Sequence, residues 1–281
     1  MKLTNPEVIH SIMSKSGIKF KKGLGQNFLI DDSVLEDIVV GSEITENTAV
    51  IEVGPGIGCL TQALAEKAGK VVSIEIDRGL VPLLNSLFVA YNNVEIIEGD
   101  ILKTDLIPLI ESFGDMEVRV AANLPYYITT PIIMKLLEED LPIRSITVMV
   151  QKEVAERIVA KPGGKEYGAL SVAVQYYSDA QIIRVVSSEC FMPPPKVDSA
   201  VVKMVIGKKD LGVDEKKFFR LVKAAFAQRR KTLINSISGS NFYKMDKAQL
   251  KEAIESIGLN EKVRGEVLSL EQFAQLANIV E

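Results

Sequence analysis

Histidine is almost absent from this chain: His10 is the only one among 281 residues. That scarcity excludes a Ser-His or Cys-His catalytic pair unless His10 itself serves, and it excludes a multi-histidine metal site. His10 reads as a surface residue of the first helix, so the chemistry is expected to run without an imidazole. Cysteine is nearly as rare. Cys59 and Cys190 are far apart and form no C-x-x-C pattern, which excludes a disulfide framework and a zinc site. No apolar run reaches transmembrane length, and the N-terminus lacks a basic-then-apolar leader. The expectation is a cytoplasmic protein with no membrane and no metal.

An excess of positive charge is missing as well, since the formal net charge is −4. The average argues weakly against a polyanionic partner, but it conceals a split. Lys15, Lys19, Lys21 and Lys22 cluster near the start. From Lys203 to Lys231 the cations are interrupted only by Asp210, Asp214 and Glu215. Where the charge lies, rather than its sum, decides contact with phosphates.

What is present suits one large domain followed by a small one. Pro6 to Ser14 is expected to be a short helix. Gly25-Gln26-Asn27-Phe28-Leu29-Ile30 is an extended lead-in to a second helix, with Ser33 and Glu36 at capping-box spacing and Val34, Leu35, Ile38 and Val39 as its apolar stripe. The amides of Gln26 and Asn27 either bind a ligand or satisfy loop backbone. Ala49 to Val53 reads as a buried strand that runs into Glu52-Val53-Gly54-Pro55-Gly56-Ile57-Gly58, and a helix follows from Cys59 to Lys67. A glycine turn between strand and helix lets backbone approach a ligand closely. The next strand, Lys70 to Ile74, delivers Glu75 roughly twenty residues beyond the glycines, the register of a carboxylate that accepts from ribose hydroxyls. Glu75 is alternatively a charge at a helix N-terminus. A third strand, Val94 to Ile97, ends in Glu98-Gly99-Asp100, where Asp100 either accepts from an adenine amine or is an ordinary turn residue.

Three acidic strand ends, with no Lys or Arg in the glycine loop, imply a nucleoside-like ligand without phosphates. S-adenosylmethionine fits, because Glu52, Glu75 and Asp100 suit a cationic sulfonium. The fourth strand, Val118 to Ala122, leads to Asn123-Leu124-Pro125-Tyr126 and a helix opened by Thr130 and Pro131. The Asn123 side-chain oxygen and a turn carbonyl can both accept from one exocyclic NH₂ while the Tyr126 ring stacks on the base. The plain alternative is an Asn that caps a turn. Ile143 to Val150 makes a fifth strand. Ala169 to Tyr177 and Gln181 to Ser187, around Ser178-Asp179, are expected to form a hairpin. The prolines after Phe191-Met192 make a stiff segment that either holds Phe191 at a pocket mouth or serves as a connector with Phe191 in the core. Ala200 to Val205 is expected to close a mostly parallel α/β sheet. Behind it, Phe218, Phe219, Val222, Ala225 and Phe226 share one helix face, and Asp246/Gln249 and Ser269/Gln272 have capping-box spacing. The expected division is residues 1–206 and a helical 207–281.

In this order, Gly25-Gln-Asn-Phe-Leu, Glu52-Val-Gly-Pro-Gly-Ile-Gly, Glu75-Ile-Asp77, Gly99-Asp100, Asn123-Leu-Pro-Tyr-Tyr-Ile, Phe191-Met-Pro-Pro-Pro-Lys-Val-Asp-Ser and Phe226-Ala-Gln-Arg-Arg-Lys-Thr-Leu closely resemble the small-subunit rRNA adenine dimethyltransferases. The resemblance spans nearly the whole chain. It implies a Rossmann-like, seven-stranded methyltransferase fold, S-adenosylmethionine as donor, and two adjacent adenosines near the 3′ end of 16S rRNA as target, each methylated twice. It places Gln26, Asn27, Leu29, Glu52, Gly54, Gly56, Glu75, Asp100 and Asn123 at the donor site. Asn123, Leu124, Pro125 and Tyr126 with Phe191 would hold the adenine. Lys21, Lys22, Arg220, Lys223, Arg229, Arg230 and Lys231 are the candidate RNA contacts of a monomer acting on the small subunit or its precursor. An adenine methyltransferase of large-subunit rRNA and a ribosome-assembly binding factor are the competing readings.

Overall fold

The computed structural model describes residues 2–17, 25–240 and 242–280, so the expected RNA contacts Lys21 and Lys22 lie outside the described residues. The strands are β1 (Phe28–Leu29), β2 (Thr48–Val53), β3 (Lys70–Glu75), β4 (Val94–Glu98), β5 (Glu117–Asn123), β6 (Ser145–Gln151), β7 (Ser178–Val186), β8 (Phe191–Met192) and β9 (Ser199–Ile206). Before the middle of the chain come helices α1 (Pro6–Ser16), α2 (Asp32–Gly41), α3 (Cys59–Ala65), α4 (Val81–Leu87), α5 (Ile107–Glu111) and α6 (Thr129–Glu138). After it come α7 (Lys152–Ile158), α8 (Ala169–Tyr177), α9 (Glu215–Phe226), α10 (Leu233–Ser238), α11 (Lys247–Ser256) and α12 (Leu270–Ile279).

Seven strands form one sheet in the order β4-β3-β2-β5-β6-β9-β7, and β1 pairs separately with β8. Strands β2 through β6 are parallel, and β9 runs antiparallel to β6. β2 is buried along its whole length, as a central parallel strand covered on both faces must be. The chain moves from β2 outward to β3 and β4, then returns to the other side for β5. The order therefore reverses between β2 and β5, where open α/β sheets leave a crevice at the strands' carboxyl ends. Glu52 and Asn123 stand at that reversal.

Four local expectations are corrected. Ala169 to Tyr177 is a helix, not half of a hairpin. Its Leu170, Val172, Ala173, Val174, Tyr176 and Tyr177 are all buried, and an apolar run this short has no readable period. Ser171 Oγ accepts the Gly168 N–H at 3.0 Å and starts it. β9 does not close the sheet, because β7 lies outside it. Asp31, not Ser33, caps α2, accepting the Ser33 N–H at 2.9 Å. α6 begins at Thr129, which places Pro131 third in the helix, still within the first turn where an N–H has no partner inside the helix.

The chain divides into two compact units, residues 1–155 with 180–206, and residues 156–179 with 207–281. A boundary at 206 leaves α8 with the sheet. The structure places it in the helical unit, where Phe218 of α9 stacks on Tyr176 (5.0 Å between ring centroids) and Phe219 on Tyr177 (5.5 Å). Within that unit Asp214 caps α9 through the Lys217 N–H, and the capping boxes at Asp246/Gln249 and Ser269/Gln272 are both formed.

Candidate active site

Glu52 is fully buried near the carboxyl end of β2. The hydroxyls of Thr61 and Ser73 both donate to its Oε2 at 2.6 Å. Burial outweighs these bonds and pushes its carboxyl up to about 7. The sign of the consequence follows from proton counts. Between the ordinary carboxyl range and about 7, folded Glu52 holds a proton that the unfolded chain has released, so stability falls as pH rises through that window. Glu52→Gln should abolish this loss. Urea melts of wild type and variant at pH 4.5 and 7.5 should show a relative shift of about 3 kcal/mol in favour of Gln at the higher pH; parallel curves would contradict it.

The loop after β2 turns on glycines. Gly58 has φ +89 and caps α3, and a Cβ there would lie 2.5 Å from the Phe88 ring. Gly56 has φ +62, and its Cβ would press the Phe28 ring at 3.1 Å. Its N–H points across the crevice and donates to Glu75 Oε2 at 3.2 Å, while Glu75 Oε1 accepts the Asp77 N–H at 2.7 Å. Glu75 is thus aimed by two backbone donors, and burial raises its carboxyl above the usual range. Asp77 in turn accepts from Gln26 Nε2 at 3.2 Å, so Gln26 ties the Gly25–Leu29 segment to the β3 side of the crevice.

That segment also reaches the β5 side. Asn123 Nδ2 donates to the Asn27 carbonyl at 3.2 Å. A carbonyl only accepts, so the amide's nitrogen must face it and Oδ1 must face away. Among the described residues Oδ1 makes no hydrogen bond. The Leu124 N–H is held by the Met149 carbonyl at 3.0 Å, and the Tyr126 hydroxyl meets Ser199 Oγ at 2.6 Å, which fixes the ring.

Between these walls lies a cleft of about 850 Å³, its solvent-facing mouth included. Of the expected site residues, Gln26, Asn27, Leu29, Glu52, Gly54, Gly56, Glu75, Asn123, Leu124, Pro125 and Tyr126 line it. Two do not. Asp100 sits at the tip of β4, where its carboxylate accepts the Leu102 N–H and pairs with Lys103 at 3.4 Å. Phe191 is 2% exposed and packed in the core, where β8 pairs with β1 and Phe191 stands opposite Leu29. Sequence reasoning missed Tyr127 and Ile76, lining residues that stay 58% and 48% exposed. For Ile76 a signal existed: a large apolar residue directly after a strand-end carboxylate. Among the described residues no cation lines the cleft, no cluster suited to a metal ion occurs, and no helix is long and apolar enough to cross a membrane.

The candidate RNA contacts differ in their commitments. Arg229 donates to the carbonyls of Lys165 and Tyr167 and pairs with Glu266 at 3.4 Å, whereas the side chains of Arg230 and Lys231 are exposed and have no partner among the described residues. Arg220 and Lys223 lie on the exposed side of α9.

The family described as ribosomal RNA adenine dimethylase matches residues 17–281. Ribosomal RNA small subunit methyltransferase A of Alkaliphilus oremlandii is 49% identical over 280 residues, covering 99% of this chain and 97% of the relative. The protein of that name from Bacillus pumilus is 49% identical over 284 residues, with the same coverage. Among solved structures, a dimethyladenosine transferase from Plasmodium falciparum superposes with a TM-score of 0.75 at 27% identity, covering 90% of this chain and 99% of that one.

Proposed function

This chain belongs to the ribosomal RNA adenine dimethylase family, and from that premise we propose that it dimethylates two adjacent adenosines near the 3′ end of 16S rRNA in the small subunit or its precursor. It is an S-adenosylmethionine-dependent rRNA methyltransferase with a Rossmann-like fold. The observation that carries the site assignment is the direction of the Asn123 amide, whose nitrogen is taken by the Asn27 carbonyl.

The donor set fits S-adenosylmethionine. The cleft holds two carboxylates and, among the described residues, no cation, and glycines at 54 and 56 leave backbone bare for close approach. When bound, S-adenosylmethionine supplies a methyl carbon made electrophilic by its sulfonium. Glu75 would accept from the donor's ribose hydroxyls, and Gly54 and Gly56 would let its nucleoside approach the backbone. Glu52 would contribute negative potential when ionised, and Ile76 would offer the purine an apolar surface.

An adenine amine is a poor nucleophile because its lone pair is delocalised into the ring. In the first transfer Asn123 Oδ1 and the Leu124 carbonyl accept its two N–H bonds, and in the second one of them accepts the N–H that remains, which draws the nitrogen toward tetrahedral geometry and localises its lone pair. Tyr126 stacks on the base after it has left its stack in the RNA, which recovers about 1–3 kcal/mol. No strong base is needed, since the nitrogen's proton becomes acidic only as the methyl group arrives and is then lost to water. Holding the reacting atoms in line supplies up to about 7–11 kcal/mol in favourable cases.

We assign RNA binding to the helical unit, with Arg230, Lys231, Arg220 and Lys223 as phosphate contacts and Arg229 as a clamp. Arg230→Gln should reduce the slope of log affinity against log salt by about 0.7. Arg229→Gln should lower the melting temperature and leave the slope unchanged. Equal slope changes in the two variants would return Arg229 to the RNA contacts. The function itself is tested by offering under-methylated small subunits and large subunits separately with labelled donor, then mapping the modified nucleotides. Label on two adjacent small-subunit adenosines is expected; label on the large subunit would overturn the proposal.

A further inference from the structure

Lys216, Arg220 and Lys223 fall at i, i+4 and i+7 of α9, so they form one stripe on its exposed side, with Lys217 beside it. Like charges at this spacing repel, and an opposing polyanion relieves that repulsion. Of the acids at the start of α9, Glu215 pairs with Lys208 and accepts from the Tyr177 hydroxyl, and Asp214 caps the helix through the Lys217 N–H.

Two aromatic rings from the connection between α10 and α11 are laid against this stripe. Lys223 Nζ lies 5.4 Å from the centroid of Phe242, and the Arg220 guanidinium carbon lies 5.9 Å from that of Tyr243. Each ring holds a long cationic side chain in place over its π-face. Phe242 nevertheless remains 40% exposed. Lys244 and Lys247, both exposed, continue the positive surface along the chain. Cations interleaved with an exposed ring are what an unpaired nucleic-acid strand requires, phosphates meeting the cations and a base stacking on the ring. An acidic protein segment would use the cations and gain nothing from a flat ring.

We infer that the α9 stripe with Phe242 and Tyr243 is a docking platform for an unpaired segment of the RNA substrate, in which Phe242 stacks on a base and Arg220 and Lys223, preset by the rings, bind its phosphates. This rests on the reading of ribosomal RNA as substrate. It differs from the basic run 229–231 in having a component that salt does not screen.

Salt titrations of full-length protein on under-methylated small subunits separate the two components. Phe242→Leu should bind about five- to ten-fold more weakly at every salt concentration with an unchanged slope, and Phe242→Tyr should bind as wild type does. Arg220→Gln with Lys223→Gln should lower the slope by about 1.4, that is about 0.7 for each contact. Wild-type affinity in Phe242→Leu overturns the proposal, as does a Phe242→Tyr variant as weak as Phe242→Leu, or an unchanged slope in the double variant. Competition by polyglutamate but not by a single-stranded RNA oligonucleotide would hand the surface to a protein partner instead. Should wild type fail to methylate small subunits at all, it is the functional reading that falls; if only the variants behave as wild type, the platform alone falls.

Discussion

Asn123→Ala will lower turnover by about 10²–10³-fold, the scale on which one preorganised transition-state contact is lost, with S-adenosylmethionine affinity within about three-fold of wild type, far less than the tenfold of about 1.4 kcal/mol. The split follows from geometry. The amide's Nδ2 is committed to the Asn27 carbonyl at 3.2 Å, and its Oδ1 is the acceptor left for the incoming amine. Alanine removes that acceptor from the atom where positive charge develops as the methyl transfers. In the proposed donor site the contacts to the nucleoside would come from Glu75 and the glycine loop, which the substitution leaves in place. Single-turnover methylation of small subunits, with donor binding measured by calorimetry, reads the two effects separately. Equal losses in both would mean that position 123 holds the donor and not the target.

Glu75→Ala should produce the opposite split. Donor affinity is expected to fall about 10- to 100-fold, the worth of a hydrogen bond to a charged acceptor at a buried site, with little change in turnover at saturating donor. Glu75 is 4% exposed, and its two oxygens are oriented by the N–H groups of Gly56 and Asp77. Hydroxyls of a ribose entering the cleft therefore meet an acceptor already in position, without loss of side-chain freedom on binding. The variant leaves both backbone donors unpaired in the empty protein, so its melting curve belongs beside the calorimetry. An unchanged dissociation constant would remove Glu75 from the donor site.

The parts of the site that follow one another along the chain are legible in the sequence. Glu52, the glycines and Glu75 are a strand end, a turn and the next strand end, and their spacing is set by the length of one βαβ unit. The capping boxes of α11 and α12 are legible because both partners lie within one turn. What the sequence conceals depends on partners remote along the chain. Phe191 is buried in the core beside Leu29, and α8 buries seven of its nine residues, which leaves no readable period in so short a run. Asp100 has the residue type expected of a ligand contact; its carboxylate accepts the Leu102 N–H and pairs with the exposed Lys103, and its role toward a ligand cannot be read from the turn alone. The orientation of Asn123 rests on residue 27, and nothing local to the tetrapeptide announces it.

The Asn27 contact that aims Asn123 is made by a peptide carbonyl and not by a side chain. Any residue at position 27 presents the same oxygen, so a substitution there acts through the path of the chain, which the Asn27 side chain helps to set by donating to the Gly25 carbonyl at 3.2 Å. Misdirection of the Asn123 amide would arise from rerouting the Gly25–Leu29 ribbon, through its glycine bend or its fastenings at Gln26 and Asn27.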